Sequence, residues 1–430
     1  NNLNINNNNI EEGIMSGYVT NNETFYENLY QMESGSYLEY IKSSNQLTIQ
    51  RYYQYLPENL VFQDEVSLFK EFNNIINTVI LNLISIANNS TIWIPLSGGR
   101  DSTLIISKLI ENNYKNIRAF TYGPLYNNDE LRKAKKVVKK LGIEWHFVHI
   151  TSKDVRKFLD NKTQFKFNKY IKFIDNCSTI PNFLDFFALI KLKENGYLKR
   201  NSLFVNGQTG DFISGNHIPE NLFHNEKNKY YLFDEIIKKH FSLWKNKLNS
   251  KNIKYLKNKI NEKFRTTDKD NYNNLSLYEF WEYDERQSKF IINGQRNYEF
   301  LDLNWFLPFW DIRIVDFFRN LNYDYKKKQK FYKNYLSYYN YKNLFKNNNF
   351  IIKQWSGIFY FATILLILIK LVFGKNIRNN IQKIINYFGF NNYLYSVVDF
   401  KEFIKKYKNI RNPYSFWSAI LIKIHKKNNK

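Results

Sequence analysis

The sequence contains very little cysteine: Cys177 is the single one in 430 residues. One thiol excludes an internal disulfide framework and a cysteine-rich zinc site. Because free cysteines are commonly buried, we expect a buried thiol at this position. Hydrophobic residues make up 43% of the chain and aromatic residues 18%, which excludes a chain that is disordered or collagen-like throughout. At about 100–200 residues per domain, we expect two or three globular domains.

Acidic residues are scarce relative to basic ones. The chain has 39 Asp and Glu against 63 Lys and Arg, a formal net charge of +24. Such a surplus favours anionic partners, which include nucleotides, nucleic acid, anionic lipid and phosphorylated substrates. The net charge does not choose among these classes.

Targeting and membrane-spanning signals are also missing. The start of the chain is polar and acidic and shows no signal peptide, so we expect a cytoplasmic location. Residues 355–369 form a long uncharged stretch that is near, but below, the length of a spanning helix. Two interpretations stay open: a helix that protein covers, or membrane association through residues 355–373.

Strand and helix patterns alternate in the first half of the chain. Apolar strand patterns cover residues 91–96, 117–121, 144–150 and 202–205, and helical patterns cover residues 68–87, 102–111, 129–141 and 182–195. This order predicts an α/β fold, a parallel twisted sheet with helices on both faces. Residues 36–41 and 46–52 form a hairpin pattern, which we expect to belong to a larger sheet. Beyond about residue 220 the chain looks helical and basic.

The loop after the first strand of this sheet has the chemistry of a phosphate site. Two glycines let backbone N–H groups turn toward an anion, and the following helix adds the positive end of its dipole. Two hydroxyls can donate to phosphate oxygens, whereas a carboxylate makes sense there if it binds a Mg²⁺ that bridges the phosphates. The alternative is an ordinary strand-to-helix turn in which the carboxylate is the helix N-cap. The residues are Ser97, Gly98, Gly99, Asp101 and Ser102.

This loop resembles the pyrophosphate loop, Ser-Gly-Gly-x-Asp-Ser, of the ATP pyrophosphatases. That superfamily includes asparagine synthetase, GMP synthetase, NAD synthetase and tRNA-modifying enzymes. The resemblance implies their adenine nucleotide alpha hydrolase-like (HUP-like) fold and cleavage of ATP between its α- and β-phosphates. It also implies that Leu96, Thr121 and Tyr122 contact ATP together with the loop.

A second glycine-containing loop, residues 206–215, follows the fourth predicted strand. It resembles the Ser-Gly-Glu-Gly-x-Asp-Glu-x-x-x-Gly loop of asparagine synthetase, which implies that Gly207 contacts nucleotide and that Asp211 helps to hold Mg²⁺. Two family carboxylates are replaced here, by Gln208 and Phe212. Because a glutamine cannot act as a base, aspartate as the substrate is in question. Asparagine-synthetase-like proteins of surface-polysaccharide loci have a similar Gly-Gln-x-Gly-Asp-Phe loop.

Two later segments resemble the same family. Residues 285–288 and 307–311 are similar to its Asp-Arg-x-Ser and Pro-Phe-Leu-Asp signature, in which Arg286 and Asp311 are structural residues. The family places an essential lysine after this signature, and the spacing favours Lys330. A lysine there neutralises charge on the leaving pyrophosphate, although a solvated run of lysines is the alternative.

The beginning of the chain resembles the end of the glutaminase domain of glutamine-hydrolysing asparagine synthetases. The similarity covers Gly17 to Tyr26 and Gly35 to Leu38. We therefore expect three parts: a glutaminase-like remnant (1–57), an ATP pyrophosphatase domain (58–345) and a helical basic region (346–430). The family's N-terminal nucleophilic cysteine is missing here, which implies that ammonia comes from a missing or separate glutaminase.

Together these resemblances imply an enzyme of the carbon–nitrogen ligase class. It adenylates a small carboxylate, aspartate or a related acid, and ammonia then displaces AMP. ATP and Mg²⁺ are the implied cofactors, Lys330, Asp101 and Gln208 the implied catalytic residues, and no nucleic acid is expected as a partner. Three alternatives stay open: a tRNA-modifying ATP pyrophosphatase, a surface-polysaccharide amidotransferase with another acceptor, and a degenerate member that acts as a scaffold.

Overall fold

The described part of the protein covers almost the whole chain. The computed structural model describes residues 3–428 apart from 59, 61–62, 125–128, 163–164, 175, 184, 200, 266, 268–270, 346–356 and 389–391.

A five-stranded sheet lies at the centre of the molecule. Its strands are β3 (Ile92–Pro95), β4 (Ile117–Gly123), β5 (Glu144–His149), β6 (Leu203–Val205) and β7 (Asn304–Phe306). The order is β5-β4-β3-β6-β7, and every neighbouring pair is parallel. The prediction of a parallel sheet is therefore confirmed. Strand β7 was not anticipated, since its three residues are too few for a periodic signal.

Alternate residues of the central strands enter two different cores, so helices cover both faces of the sheet. Ile92 and Ile94 point into a core formed with Phe72 and Leu104 on one face. Trp93, between them, packs on the other face in a core that also contains Phe186. This alternation follows from the two-residue period of a strand.

Nineteen α-helices surround the sheet or extend from it within the described residues. They are α1 (Asn7–Ser16), α2 (Glu65–Ala87), α3 (Arg100–Glu111), α4 (Asp129–Leu141), α5 (Ser152–Leu159), α6 (Phe167–Ile174), α7 (Phe186–Glu194), α8 (Gly210–Ile213), α9 (Lys229–His240), α10 (Ser250–Arg265), α11 (Asn274–Trp281), α12 (Arg296–Phe300), α13 (Ile312–Arg319), α14 (Tyr323–Lys326), α15 (Lys330–Tyr339), α16 (Gly357–Phe388), α17 (Asn392–Tyr395), α18 (Phe400–Lys406) and α19 (Tyr414–Asn428). A π-helical segment, Glu282–Ile292, continues α11.

The predicted hairpin is present, but its expected partners are not. Strands β1 (Ser36–Ile41) and β2 (Gln46–Arg51) pair antiparallel with each other and form a two-stranded sheet. Within the described chain no further strand joins them, so the expectation of a larger sheet is wrong there.

Buried charges connect the end of this hairpin to the π-helical segment. Arg51, the last residue of β2, forms an ion pair with Asp284, which also pairs with the ammonium of Lys263 at 2.9 Å. The carboxylate of Glu285 accepts a hydrogen bond from the backbone N–H of Asn21 at 3.1 Å. The beginning of the chain is thus packed into the body of the molecule by interactions that water does not screen.

The two ends of the described chain meet. Helix α1 packs on α19, where Ile10 and Phe25 share a small core with Ile422. Cys177 nearby is only partly buried, so the expectation of a fully buried thiol is wrong. Cys177 has a positive φ of 61°, and its backbone carbonyl accepts a hydrogen bond from the N–H of Phe25. Among the described residues, no helix has the length and apolarity needed to cross a membrane.

Candidate functional site

The loop between β3 and α3 has a backbone conformation that requires glycine. Gly98 has a φ of 73°, and a Cβ there would lie 2.3 Å from the Cβ of Lys133 in α4. Only glycine fits such a position. Gly99 is the N-cap of α3, and its N–H donates to the hydroxyl of Ser97 at 3.3 Å. The first N–H groups of α3 therefore face the loop without a side-chain cap.

Asp101 lies in the first turn of α3 and is not its N-cap. The helix begins at Arg100, two residues earlier than the sequence pattern indicates, because Gly99 takes the capping position. The alternative of a capped turn at Asp101 is therefore wrong. The carboxylate accepts a hydrogen bond from the hydroxyl of Tyr332 at 2.8 Å, and Ser102 beside it is buried.

The second loop lies directly against the first. A Cβ added to Gly207 would be 2.7 Å from the Cβ of Asp101, and one added to Gly210 would be 2.6 Å from its carboxyl carbon. These contacts arise because β3 and β6 are neighbours and both loops leave their carboxyl ends. The structure thus brings together the two loops that the sequence singled out.

Two carboxylates at this junction influence each other. Burial, and then the negative charge of Asp211, raises the pKa of Asp101 to about 7. Asp211 is exposed and accepts a hydrogen bond from the amide of Gln329 at 3.0 Å. Within the described residues, no group of three or more His, Cys, Asp and Glu could hold a metal ion. A cation bound by the pair would therefore need further ligands of another kind, such as hydroxyl, carbonyl, phosphate or water oxygens.

Lys330 and Lys333, which follow the signature segment 307–311 in the sequence, have different surroundings. Lys330, the predicted catalytic residue, is exposed, and its ammonium lies 5.7 Å from the ring centre of Tyr325. Burial and the charge of Arg100 lower the pKa of Lys333, whereas the charge of Asp211 raises it. Lys333 therefore interacts electrostatically with Asp211, one of the two carboxylates. The role of Lys330 stays a prediction.

The residues implied in adenine binding lie beside the first loop. The hydroxyl of Thr121 donates to the carbonyl of Leu96 at 2.5 Å, and the N–H of Leu96 donates to the carbonyl of Phe120 at 2.8 Å. Tyr122 points away from this pair and donates to the carboxylate of Asp185 at 2.7 Å. The carboxyl ends of β3 and β4 are thus hydrogen-bonded to each other beside the first loop.

Gln208 and Phe212, which stand where the family has carboxylates, have different surroundings. The side-chain carbonyl of Gln208 accepts a hydrogen bond from Gln295 at 2.7 Å, so a neutral amide pair lies at the second loop. Phe212 is fully buried, and its ring centre lies 5.3 Å from that of Tyr55. An aromatic side chain there packs the loop on the segment that follows the hairpin.

The two signature residues have local structural roles. Arg286 forms an ion pair with Glu282 at 2.9 Å, as the sequence suggested. Asp311 is the N-cap of α13 and pairs with Arg313 at 2.7 Å. Sequence reasoning missed Tyr332, which donates to a site carboxylate. Its closeness to the lysine run was the one available signal.

The two loops that resemble those of asparagine synthetase lie together at the carboxyl edge of the parallel sheet. Comparison with known families agrees: the sequence model of the asparagine synthase family matches residues 91–188. This match runs from β3 to the start of α7 and agrees with the resemblance of the first loop.

Two individual proteins are similar to the chain over part of its length. The Microcin J25-processing protein McjC of Escherichia coli is 26% identical over 219 residues, which are 50% of this chain and 37% of that protein. The chain therefore matches little more than a third of the relative's length. The solved NH3-dependent NAD synthetase of Campylobacter jejuni, in complex with the nitrate ion, has 15% identity and a TM-score of 0.27. That alignment covers 48% of this chain and 97% of the synthetase.

Proposed function

We propose that the protein is an ATP-dependent amide ligase that activates a carboxylate by adenylation. The observation that carries the proposal is the contact of the two loops, in which Gly207 and Gly210 lie against Asp101. This contact puts the glycine-containing first loop and two carboxylates at one edge of a parallel sheet, which supports phosphate binding there. The match to the asparagine synthase family over residues 91–188 supports the same reaction class.

The residues present fit ATP and Mg²⁺. The open N-terminus of α3 and the hydroxyls of Ser97 and Ser102 suit the β- and γ-phosphates. Burial, and then the negative charge of Asp211, raises the pKa of Asp101, and a cation held between the two carboxylates would offset this repulsion. Mg²⁺ commonly uses one or two carboxylates and takes its other ligands from phosphate and water, so Asp101 and Asp211 would hold it. When bound, the ion would neutralise the phosphate charge.

The proposed reaction has two steps, adenylation of the acceptor and displacement of AMP by the amine. An oxygen of the acceptor carboxylate attacks the α-phosphorus of ATP, the bond to the bridging oxygen breaks, and pyrophosphate leaves with its electron pair. An amine or ammonia then attacks the acyl carbon, AMP leaves with the former carboxylate oxygen, and a proton from the nitrogen passes to solvent. The helix dipole and a nearby lysine, Lys330 or Lys333, stabilise the negative charge that develops on pyrophosphate.

The acceptor is proposed to be a carboxylate other than that of free aspartate. The amide pair of Gln208 and Gln295 replaces a family carboxylate and offers neutral hydrogen bonds instead of a base. A relative whose name describes processing of a microcin supports a peptide carboxylate as the acceptor. The amine partner is then an amino group of the same peptide or ammonia from a separate source.

The test is ATP–pyrophosphate exchange with Mg²⁺ across a panel of acceptors. The panel contains aspartate, other amino acids, sugar uronates and peptides that bear side-chain carboxylates. We expect exchange that requires one acceptor and that Asp101→Asn abolishes, while the exposed Asp160→Asn control retains it. Absence of exchange with every carboxylate, together with salt-dependent tRNA binding, would contradict the proposal and favour an RNA-modifying enzyme.

A further inference from the structure

An exposed apolar surface covers one side of helix α16. At about 100° per residue, six exposed aliphatic side chains between residues 364 and 372 fall on an arc of about 160° that contains no polar residue. The exposed side chains of Phe373 and Ile377 follow outside this arc. The most exposed are Leu371 and Val372, at 75% and 71%. Leu366, on the opposite side of the helix, is buried. The arc consists of Ile364, Leu365, Ile367, Leu368, Leu371 and Val372.

Positive charge borders this apolar arc. Lys370 lies next to the arc on the same helix, and Lys375 follows directly after the break at Gly374, where φ is 81°. Both lysines are exposed. The sequence of α16 contains no aspartate or glutamate along its whole length. An apolar face with a basic border is the pattern of a helix that lies in an anionic lipid interface, with its lysine stems along the apolar face and their ammonium groups outward.

Two other occupants of this surface fit the chemistry less well. A second copy of the chain would bring the same basic residues together in a two-fold pairing, with no acidic residue of α16 to offset them. Interfaces with other proteins are typically rich in aromatic residues and arginine, whereas the arc is wholly aliphatic. The net charge of +24 adds long-range attraction to an anionic surface.

We propose that the apolar arc of α16 is a membrane-surface docking site that inserts into the interface of anionic lipid bilayers. The helix lies along the surface, with Leu366 toward the protein and Leu371 and Val372 toward the acyl chains. This interaction is independent of the carboxylate chemistry at the site. It would hold the enzyme next to substrates or partners that are themselves at the membrane.

Vesicle flotation with the full chain tests this proposal. We expect binding to phosphatidylglycerol–phosphatidylcholine vesicles and little binding to vesicles of phosphatidylcholine alone. The Leu371→Gln/Val372→Gln variant should lose about tenfold or more in partitioning, because two exposed aliphatic groups no longer enter the lipid. The matched control, Leu47→Gln/Ile49→Gln, removes two aliphatic residues of the hairpin that are also more than half exposed, and it should bind as the parent does.

A second pair of variants separates charge from apolar contact. Lys370→Gln/Lys375→Gln should weaken binding to anionic vesicles by about fivefold per charge, and Lys401→Gln/Lys405→Gln, which removes the same charge elsewhere, should have less effect. Equal binding of all four variants would overturn the proposal. So would a protein that floats with neither vesicle and whose light-scattering mass falls from dimer to monomer in Leu371→Gln/Val372→Gln, since a second copy would then cover the arc.

Discussion

A methyl group at position 207 would separate the two loops of the proposed site. In Gly207→Ala the new Cβ would lie 2.7 Å from the Cβ of Asp101 and 2.9 Å from the backbone nitrogen of Ser102. Carbon atoms pack favourably at about 3.5–4.0 Å, so one loop must move by about 1 Å. A misplacement of about 1 Å in an active site costs on the order of 100-fold in rate. Overpacking of this kind costs about 1–3 kcal/mol of stability.

The matched control is a glycine substitution with a stability cost but no contact with the site. Gly142 has a φ of 69° and nothing within 4 Å of an added Cβ, so Gly142→Ala introduces only backbone strain of about 1–2 kcal/mol. Both variants are measured by urea unfolding and by ATP–pyrophosphate exchange. We expect similar stability losses, with the large loss of exchange confined to Gly207→Ala. Exchange within about threefold of the parent in Gly207→Ala would refute the argument that loop contact aligns the site.

Four further predictions concern buried and exposed ionisable groups. Burial lowers the pKa of His240 to about 4. Because the unfolded chain binds this proton near pH 6.5, the folding stability that is present above pH 6.5 should fall by up to about 3 kcal/mol as the pH is lowered from 6.5 to 4. The His240→Gln variant should show a flatter pH dependence of thermal unfolding over this range. Lys326→Met should cost about 3–5 kcal/mol in urea unfolding because it leaves the buried Glu279 without its partner at 2.6 Å. Lys330→Met, at an exposed position, should change stability by less than about 0.5 kcal/mol yet reduce exchange about 100-fold if it acts on pyrophosphate; unchanged exchange would contradict that role. Tyr332→Phe removes a hydrogen bond to a site carboxylate and should raise the Mg²⁺ concentration for half-maximal exchange about tenfold, and an unaltered Mg²⁺ dependence would contradict its positioning role.

The central fold could be predicted because each signal was local. Apolar segments with the pattern of β-strands alternate with amphipathic helical segments, and this order predicts a parallel sheet. The elements that were missed lack such signals: β7 spans Asn304–Phe306 and is too short to show alternation. The start of α3 was predicted two residues too late because its N-cap is Gly99, which has no side chain that could mark the start of a helix in the sequence.

The two site loops could also be predicted, since glycine-rich segments follow β3 and β6 in the sequence. Their supporting residues could not, because the contacts join distant parts of the chain. Tyr332 is separated from Asp101 by 231 positions, and Gln295 from Gln208 by 87. No spacing rule in a single sequence connects residues that far apart. The packing of α15, and of the turn Asn293–Gln295 after the π-helical segment, brings them to the site.

The most direct test of the proposed reaction follows oxygen from the acceptor to the nucleotide. The acceptor identified by exchange is labelled with ¹⁸O in its carboxylate and turned over with ATP, Mg²⁺ and the amine. If the carboxylate attacks the α-phosphorus and the amine then displaces AMP, one labelled oxygen must appear in the phosphate of AMP. Label in inorganic phosphate, or AMP without label, would contradict adenylation of the carboxylate.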